Sequence, residues 1–293
     1  MPDRAPRPPV VVIGNLVRDV VAGAPPRPGG AVFYQARVFA EIPHERDVRL
    51  VTRCSPGDRD LLLRPLEAFG LPVTWRPAHE TQTFDFHYEG ETRVMEIVAL
   101  GDPWTPDDVD GWVSQAMGDA EWIMLGALTR ADFPPETLSA LRREGRQLLV
   151  DAQGLVRRGT LGPLVRDGKV SPESFAAVRV LKLNDVEAEA LVGSTDAVAL
   201  RRLCVPEVVL TLGSKGSVVI TAADEEHVPA VEEHVPAVEV DGPVDPTGAG
   251  DTFWVSYLVG RSQGVLPVEA ARAAAEVTST FLATRHEAGA WRT

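Results

Sequence analysis

The sequence predicts a mostly parallel α/β sheet domain with a small separate β lid. Short runs of purely apolar, largely β-branched residues recur along the chain, as in strands buried on both faces of a parallel sheet. Helix-like stretches lie between several of these runs, the alternation from which parallel sheets are built. Two segments break that rhythm with strand-and-turn patterning, and these are expected to form the lid.

Taken in order, residues 1–9 are rich in Pro and Arg and are expected to be disordered. Val10–Ile13 is the first apolar run and ends at Gly14. Arg18–Val38 contains Pro-Pro-Arg-Pro-Gly-Gly and then an apolar stretch, and is assigned to the lid. Asp58–Phe69 sets Leu61, Leu62, Pro65, Leu66 and Phe69 near one helical face. Thr81–Val98 alternates polar and apolar residues around a turn at Glu89-Gly90-Glu91, a hairpin pattern and the second lid segment. Apolar runs follow at Trp122–Leu125, Leu148–Val150, Val178–Leu183 and Val208–Leu212. Between them, Pro135–Arg143 reads as a helix with Pro in its first turn, and Asp185–Val192 as one capped by Asn184 or Asp185. Residues 225–238 are a perfect tandem duplication, Glu-Glu-His-Val-Pro-Ala-Val twice over. Two short copies make no solenoid. Pro229 and Pro236 disfavour a central strand, which leaves a loop or an edge-ribbon extension. His227 and His234 are of a type that binds metal, but no combined carboxylate and cysteine constellation supports that reading. The chain is therefore read as one domain over residues 10–293 with lid segments at about 18–38 and 81–98.

Composition limits the partners. With 293 residues, 44% hydrophobic and 24% charged, the chain has the make-up of a globular enzyme with a sizeable core. A net charge of -13 opposes general binding to nucleic acid or anionic membrane. The two cysteines, Cys54 and Cys204, form no metal or disulfide pattern. The start of the sequence has no apolar secretion segment and no run is long enough to span a membrane, so a cytoplasmic location is expected.

The chemistry concentrates in Asp245-Pro-Thr-Gly-Ala-Gly-Asp-Thr-Phe253, followed by the apolar helix pattern Trp254–Val259. Glycines directly before a helix allow close backbone approach to a ligand. The unpaired amides and the dipole of the first turn then form an anion hole. Asp251 stands beside that hole as a proton acceptor. Phosphoryl transfer needs charge stabilisation, alignment and a group to take the hydroxyl proton. Gly248, Ala249, Gly250 and Asp251 offer the first and last of these within four residues. By itself a Gly-x-Gly before a helix is also an ordinary turn.

The full string closely resembles the signature of the ribokinase family, the PfkB carbohydrate kinases, and the resemblance runs from about Val10 to Arg285. It implies a ribokinase-like, doubly wound, mostly parallel sheet with a small β lid. It also implies that Asp251 is the catalytic base and that Gly248, Ala249 and Gly250 hold the developing charge. Gly14-Asn15 followed by Asp19 looks like the family's first strand, whose Asp binds substrate hydroxyls, and Gly29-Gly30 like its substrate loop. Lys182-Leu-Asn184 with Glu187 resembles the N-x-x-E element that organises Mg²⁺ and phosphates, and Glu187 is the candidate metal residue. Thr211, Gly213 and Gly216 resemble the strand and loop that lie against ATP. Thr247 joins them, and Ala273–Thr280, with Ala275 and Thr278, would line the adenine pocket. Each element has an ordinary reading as well: Asn184 and Glu187 have capping-box spacing, and Thr211–Gly216 is no Walker A but a strand and tight turn.

Two departures bear on the acceptor. Ribokinase carries Gly-Gly-Lys-Gly-Ala-Asn where this chain has Gly29-Gly-Ala-Val-Phe-Tyr34, which argues against ribose. Leu125–Thr129 and Asp151–Arg157 resemble a branch that includes inositol and nucleoside kinases, with Gln153 and Arg157 just after a strand, where open sheets bind ligands. The expected activity is ATP- and Mg²⁺-dependent phosphorylation of a sugar or a cyclitol such as myo-inositol, by a monomer or a lid-mediated homodimer. The alternatives are a nucleoside kinase and a non-catalytic sugar-sensing regulator of the same fold. A dinucleotide-binding oxidoreductase is disfavoured because Gly14 is followed by Asn15-Leu16, not by the glycine pattern of that fold.

Overall fold

The computed structural model describes residues 9–42, 44, 47–89, 92–222, 230–242 and 245–288. The expected disorder of residues 1–9 (Pro9 apart), the turn at Gly90-Glu91 and His227 fall outside the described residues.

The strands in chain order are β1 (Val10–Asn15), β2 (Val17–Val21), β3 (Arg27–Gly29), β4 (Val48–Cys54), β5 (Val73–Pro77), β6 (Gln82–Glu89) and β7 (Thr92–Ala99). They continue with β8 (Trp122–Leu125), β9 (Gln147–Asp151), β10 (Gly162–Pro163), β11 (Val180–Asn184), β12 (Glu207–Thr211), β13 (Ser217–Thr221) and β14 (Val231–Val235). The main sheet has the order β14-β13-β12-β11-β9-β8-β1-β4-β5. From β5 to β12 every pairing is parallel; β13 and β14 add antiparallel at one edge. The all-apolar runs are buried as their composition requires: every residue of β1 is buried. Alternate residues feed two cores. Val11 and Ile13 point to one face, under the helix Pro135–Arg142. Val10 and Val12 point to the other, under the helices Ala31–Glu41 and Ala249–Ser262. Helices on both faces make the sheet doubly wound.

The second sheet has the order β10-β7-β6-β2-β3 and a small core of its own in Val17, Phe84, Phe86, Ile97 and Leu128. It contains the expected hairpin, β6 paired antiparallel with β7. One expectation is corrected: the apolar stretch through Val38 is not lid. Residues 31–41 form a helix whose Val32, Ala36, Val38 and Phe39 are buried against the main sheet. The spacing of those residues has helical period, which the neighbouring glycines obscured. The second copy of the duplication becomes β14, an edge strand that stops at Pro236, in keeping with the exclusion of proline from central strands.

The helix Ala249–Ser262 is fixed far from its glycine-rich start. Tyr257 Oη donates to Glu207 Oε1 at 2.5 Å, and the Arg261 guanidinium donates to both oxygens of the same carboxylate, all of it buried at the start of β12. A paired and fully hydrogen-bonded buried charge is tolerated where a lone one is not. Among the described residues no helix is long and apolar enough to cross a membrane.

Candidate active site

A cavity of roughly 270 Å³ lies at the carboxyl ends of the parallel strands, between the main sheet and the second sheet. Ligands of open α/β sheets bind at this edge. Seven expected site residues line the cavity: Asp19, Gly30, Gln153, Arg157, Lys182, Gly250 and Asp251.

The main-sheet wall is charged and tied together. Lys182 and Asp151 are register partners on adjacent strands β11 and β9, and Lys182 Nζ reaches Asp151 Oδ2 at 2.5 Å. Asp151 Oδ1 accepts from the backbone amide of Gln153 at 3.0 Å. Arg157 Nη2 donates to Gln153 Oε1 at 2.8 Å, so the polar groups after β9 form one chain. Gly248 caps the helix Ala249–Ser262 with φ 85°, a left-handed conformation that suits glycine. At Gly250 an added Cβ would meet only open space, so the backbone of the first turn faces the cavity bare. The Ala249 amide donates back to the Pro246 carbonyl oxygen at 3.0 Å, so the expectation that Ala249 offers its amide to the developing charge is corrected; the bare part of the turn begins at Gly250, and Asp251 follows directly.

The opposite wall comes from the second sheet. Asp19 projects from β2, and Gly29 on β3 gives it room, because a Cβ there would land on the Asp19 carboxylate. Gly30 has φ +87° and packs on Val17 where the chain turns into the helix Ala31–Glu41. From that helix Tyr34 enters the cavity, while Phe33 turns away to pack on Phe69. Phe84 and Phe86 of β6 and Met95 of β7 close the wall with apolar side chains.

The electrostatics fit an acid–base site. Burial is the largest effect on Asp251 and raises its pKa to about 6; Lys182 counters this and Asp151 adds to it. A base titrating there is ionised at neutral pH and still able to hold a proton. Burial opposes the charge on Lys182, but Asp151, Glu187 and Asp251 outweigh it and hold its pKa above the ordinary value. Glu187 is raised to about 7 by burial and then by Asp151. Burial, then Arg166, lowers Arg157 to about 10. Tyr34 is raised by burial and then by Asp19.

The remaining expected residues stand outside the cavity. Asn184 and Glu187 form the capping box of the helix Asp185–Val192, with both reciprocal bonds made. Asn184 and Thr211 are register partners at the ends of β11 and β12, continuing the same carboxyl edge beyond Lys182. Gly213 and Gly216, at φ +58° and +91°, turn the chain from β12 into β13. The amide of Thr247 donates to Asp245 Oδ1. Ala275 and Thr278 lie on the helix Pro267–Ala288, which packs on the helix Ala249–Ser262 and on β13 and β14. Among the described residues no three His, Cys, Asp or Glu side chains converge as a metal cage. The donor set fits a Mg²⁺ ion held mainly by phosphate and water, with Glu187 acting on Lys182 alongside Asp151 and Asp251. Tyr34 was expected near the acceptor from the Gly29–Tyr34 string; Asp151, Phe84, Phe86, Met95 and Leu128 were not named as site residues. Asp151 alone had a signal, as an acid ending a strand; the others needed the path of the second sheet.

Residues 98–291 match the model of the pfkB family carbohydrate kinase. An inositol 3-kinase of Zea mays is 32% identical over 144 residues, 47% of this chain and 34% of the relative, so the match spans about a third of that protein's length. The chain is similar in structure to Arabidopsis thaliana ribokinase complexed with ribose and ATP, with TM-score 0.70, 20% identity and coverage of 94% and 93% of the two chains. It is also similar to a pyrophosphate-dependent myo-inositol-1 kinase converted into a myo-inositol-3 kinase by an Asn-to-Leu and a Ser-to-Leu substitution eleven positions apart (TM-score 0.71, 22% identity, coverage 94% and 93%).

Proposed function

The chain belongs to the pfkB family of carbohydrate kinases, and from that premise we propose that it transfers the γ-phosphoryl group of ATP to a ring hydroxyl of a cyclitol, myo-inositol before simple sugars. The observation that carries this reading is the meeting of Asp251, on the bare first turn of its helix, with Asp19 of the opposite wall in one cavity. Asp19 accepts hydrogen bonds from neighbouring ring hydroxyls, and Gln153 and Arg157 donate to others. Asp251 takes the proton as the hydroxyl oxygen bonds to phosphorus and the bond to the leaving ADP oxygen breaks. The amides of Gly250 and Asp251 face the charge that collects on the phosphoryl oxygens. Bound Mg²⁺ supplies further neutralisation of donor phosphates. Thr211, Gly213, Gly216, Thr247, Ala275 and Thr278 are assigned to the nucleotide, along the edge that continues from Asn184.

Inositol is preferred on the acceptor side for two reasons. The curated relative is an inositol 3-kinase. The cavity also combines carboxylate and guanidinium partners with an apolar wall, which suits a ring that has hydroxyls at its rim and C–H groups on its faces. Within that wall Phe84 and Met95 are eleven positions apart, the spacing of the two residues that switch the inositol kinase above.

The test is a turnover assay with ATP and, separately, pyrophosphate as donor, against myo-inositol, hexoses, adenosine and cytidine. The expected result is Mg²⁺-dependent turnover with ATP and the highest kcat/KM on myo-inositol. A nucleoside preferred by more than tenfold overturns the acceptor, and turnover with pyrophosphate alone overturns the donor. No turnover on any pair, with the ligands still raising Tm by binding, points to a sugar-sensing protein.

A further inference from the structure

We propose that Phe84 and Met95 decide which ring hydroxyl is phosphorylated, and that the product from myo-inositol is the 3-phosphate, the position taken by the similar inositol kinase once two apolar residues replace its polar pair; this rests on the acceptor reading above. The two side chains share one face of the β6–β7 hairpin with Phe86, whose register partner is Met95. Pairing shifts between Thr83 and Phe84, and such an irregularity re-aims the side chain that follows it. Phe84 is buried and Met95 partly so, and both border the cavity opposite Asp251.

The partners offered to a bound ring are unequal. Asp19, Gln153, Arg157 and Asp251 all hydrogen-bond with hydroxyls, whereas Phe84 and Met95 offer no comparable donor or acceptor. A hydroxyl pressed against the hairpin loses its water and gains nothing in return, which is costly. The ring therefore settles with C–H groups on Phe84 and Met95 and its hydroxyls on the polar groups.

Symmetry makes this decisive for myo-inositol. The 1- and 3-hydroxyls are mirror images about the plane through C2 and C5, so the ring itself does not distinguish them. Only the orientation of the axial 2-hydroxyl within a chiral cavity does. Polar residues at positions 84 and 95 would give that hydroxyl a partner on the hairpin and favour the mirror-related placement. Apolar residues there withhold it.

The 1- and 3-phosphates are enantiomers, so the products are resolved by chiral-phase chromatography after reaction of the full chain with ATP and myo-inositol. The wild-type chain is expected to give the 3-phosphate in at least tenfold excess. Phe84→Asn with Met95→Ser is expected to move the product ratio at least tenfold toward the 1-phosphate. Phe84→Leu with Met95→Leu keeps the wild-type ratio. A thermal melt establishes that each variant is folded, and Met95→Ser alone gives the readout if the double variant is not. A wild-type product that is mostly 1-phosphate, or an unchanged ratio in the folded polar variant, overturns the assignment. If the chain turns over hexoses or nucleosides but no myo-inositol, the acceptor reading fails, and this assignment with it. A changed KM with an unchanged product ratio leaves the kinase reading standing and refutes only the role of the pair.

Discussion

The two walls of the cavity are made of opposite materials. On the main sheet, Asp151, Lys182 and Asp251 sit at strand ends and on the first turn of a helix, and Asp151 is bonded through both oxygens. On the second sheet, Phe84, Phe86 and Met95 make van der Waals surface on strands with a five-residue core of their own. Groups that meet developing charge gain from being held in advance by rigid elements. Groups that select a substrate need shape and the absence of competing partners. Asp19 is the exception that joins the walls, a carboxylate on the selecting side admitted by the missing side chain of Gly29.

If the division is right, changes to the charged wall strike turnover and changes to the apolar wall strike acceptor recognition. The largest effect belongs to Asp251→Asn, for which kcat is expected to fall by roughly 10²–10⁴ with donor Kd little changed; wild-type turnover in this variant breaks the comparison outright. The same variant should be more stable than wild type at neutral pH. The folded pKa of Asp251 is raised from 3.8 to about 6, so its contribution to stability is complete below about pH 4 and is lost as pH rises through 6. One unit corresponds to ~1.4 kcal/mol, which sets an upper bound of about 3 kcal/mol on the gain, read by denaturant titration at pH 7.5 and expected to vanish at pH 4. Next comes Lys182→Met. It strands Asp151 beside a second partly buried carboxylate, and a loss of up to about 3 kcal/mol is expected, together with an acid limb of kcat/KM displaced upward from its wild-type midpoint near pH 6, because Lys182 lowers the Asp251 pKa. An unmoved limb means that Asp251 does not set it.

On the apolar wall, Phe86→Ala should raise acceptor KM about tenfold and leave kcat within about threefold, a split worth ~1.4 kcal/mol in binding. A collapse of kcat with an unchanged KM would show that the walls do not divide the work as described. The smallest effect is expected outside both walls. Deleting Glu232–Val238 leaves one copy of the duplicated sequence to follow β13, and kcat/KM should stay within about threefold; a tenfold loss would bring the β14 edge into the donor site.

Much of the main-sheet wall was legible in the sequence because its signals are local, although Asp151, the acid that ends β9, was not singled out. An unbroken apolar run has few ways to be buried, and glycines before an apolar helix announce a bare first turn. Asp251 and the capping pair Asn184 and Glu187 could be placed from neighbours within a few residues, whereas Lys182 came only with the family resemblance. The apolar wall was not legible. Phe84 and Met95 read as the ordinary apolar half of a hairpin, and their facing Asp251 depends on β6 lying parallel to β2, a contact between distant residues. The helix over residues 31–41 failed for a related reason. Gly29 and Gly30 signalled a turn, and that signal was extended too far into residues whose period was already helical. Tyr34 entered the cavity by that helix, not by a substrate loop.

The edge made by β14 bears on solubility. Among the described residues its outer row of backbone groups has no strand partner, the feature by which sheets recruit other chains and aggregate. Three of its five residues are Glu232, Glu233 and His234, and Pro236 follows at once, so an incoming strand meets charge and then a residue with no amide to share. Because the upstream copy spells the same Glu-Glu-His-Val-Pro, a ribbon displaced by seven residues presents the same guarded border. The duplication thus keeps this edge protected after one particular slip, by the full seven-residue repeat, although a slip of a single residue still turns the side chains to the other face.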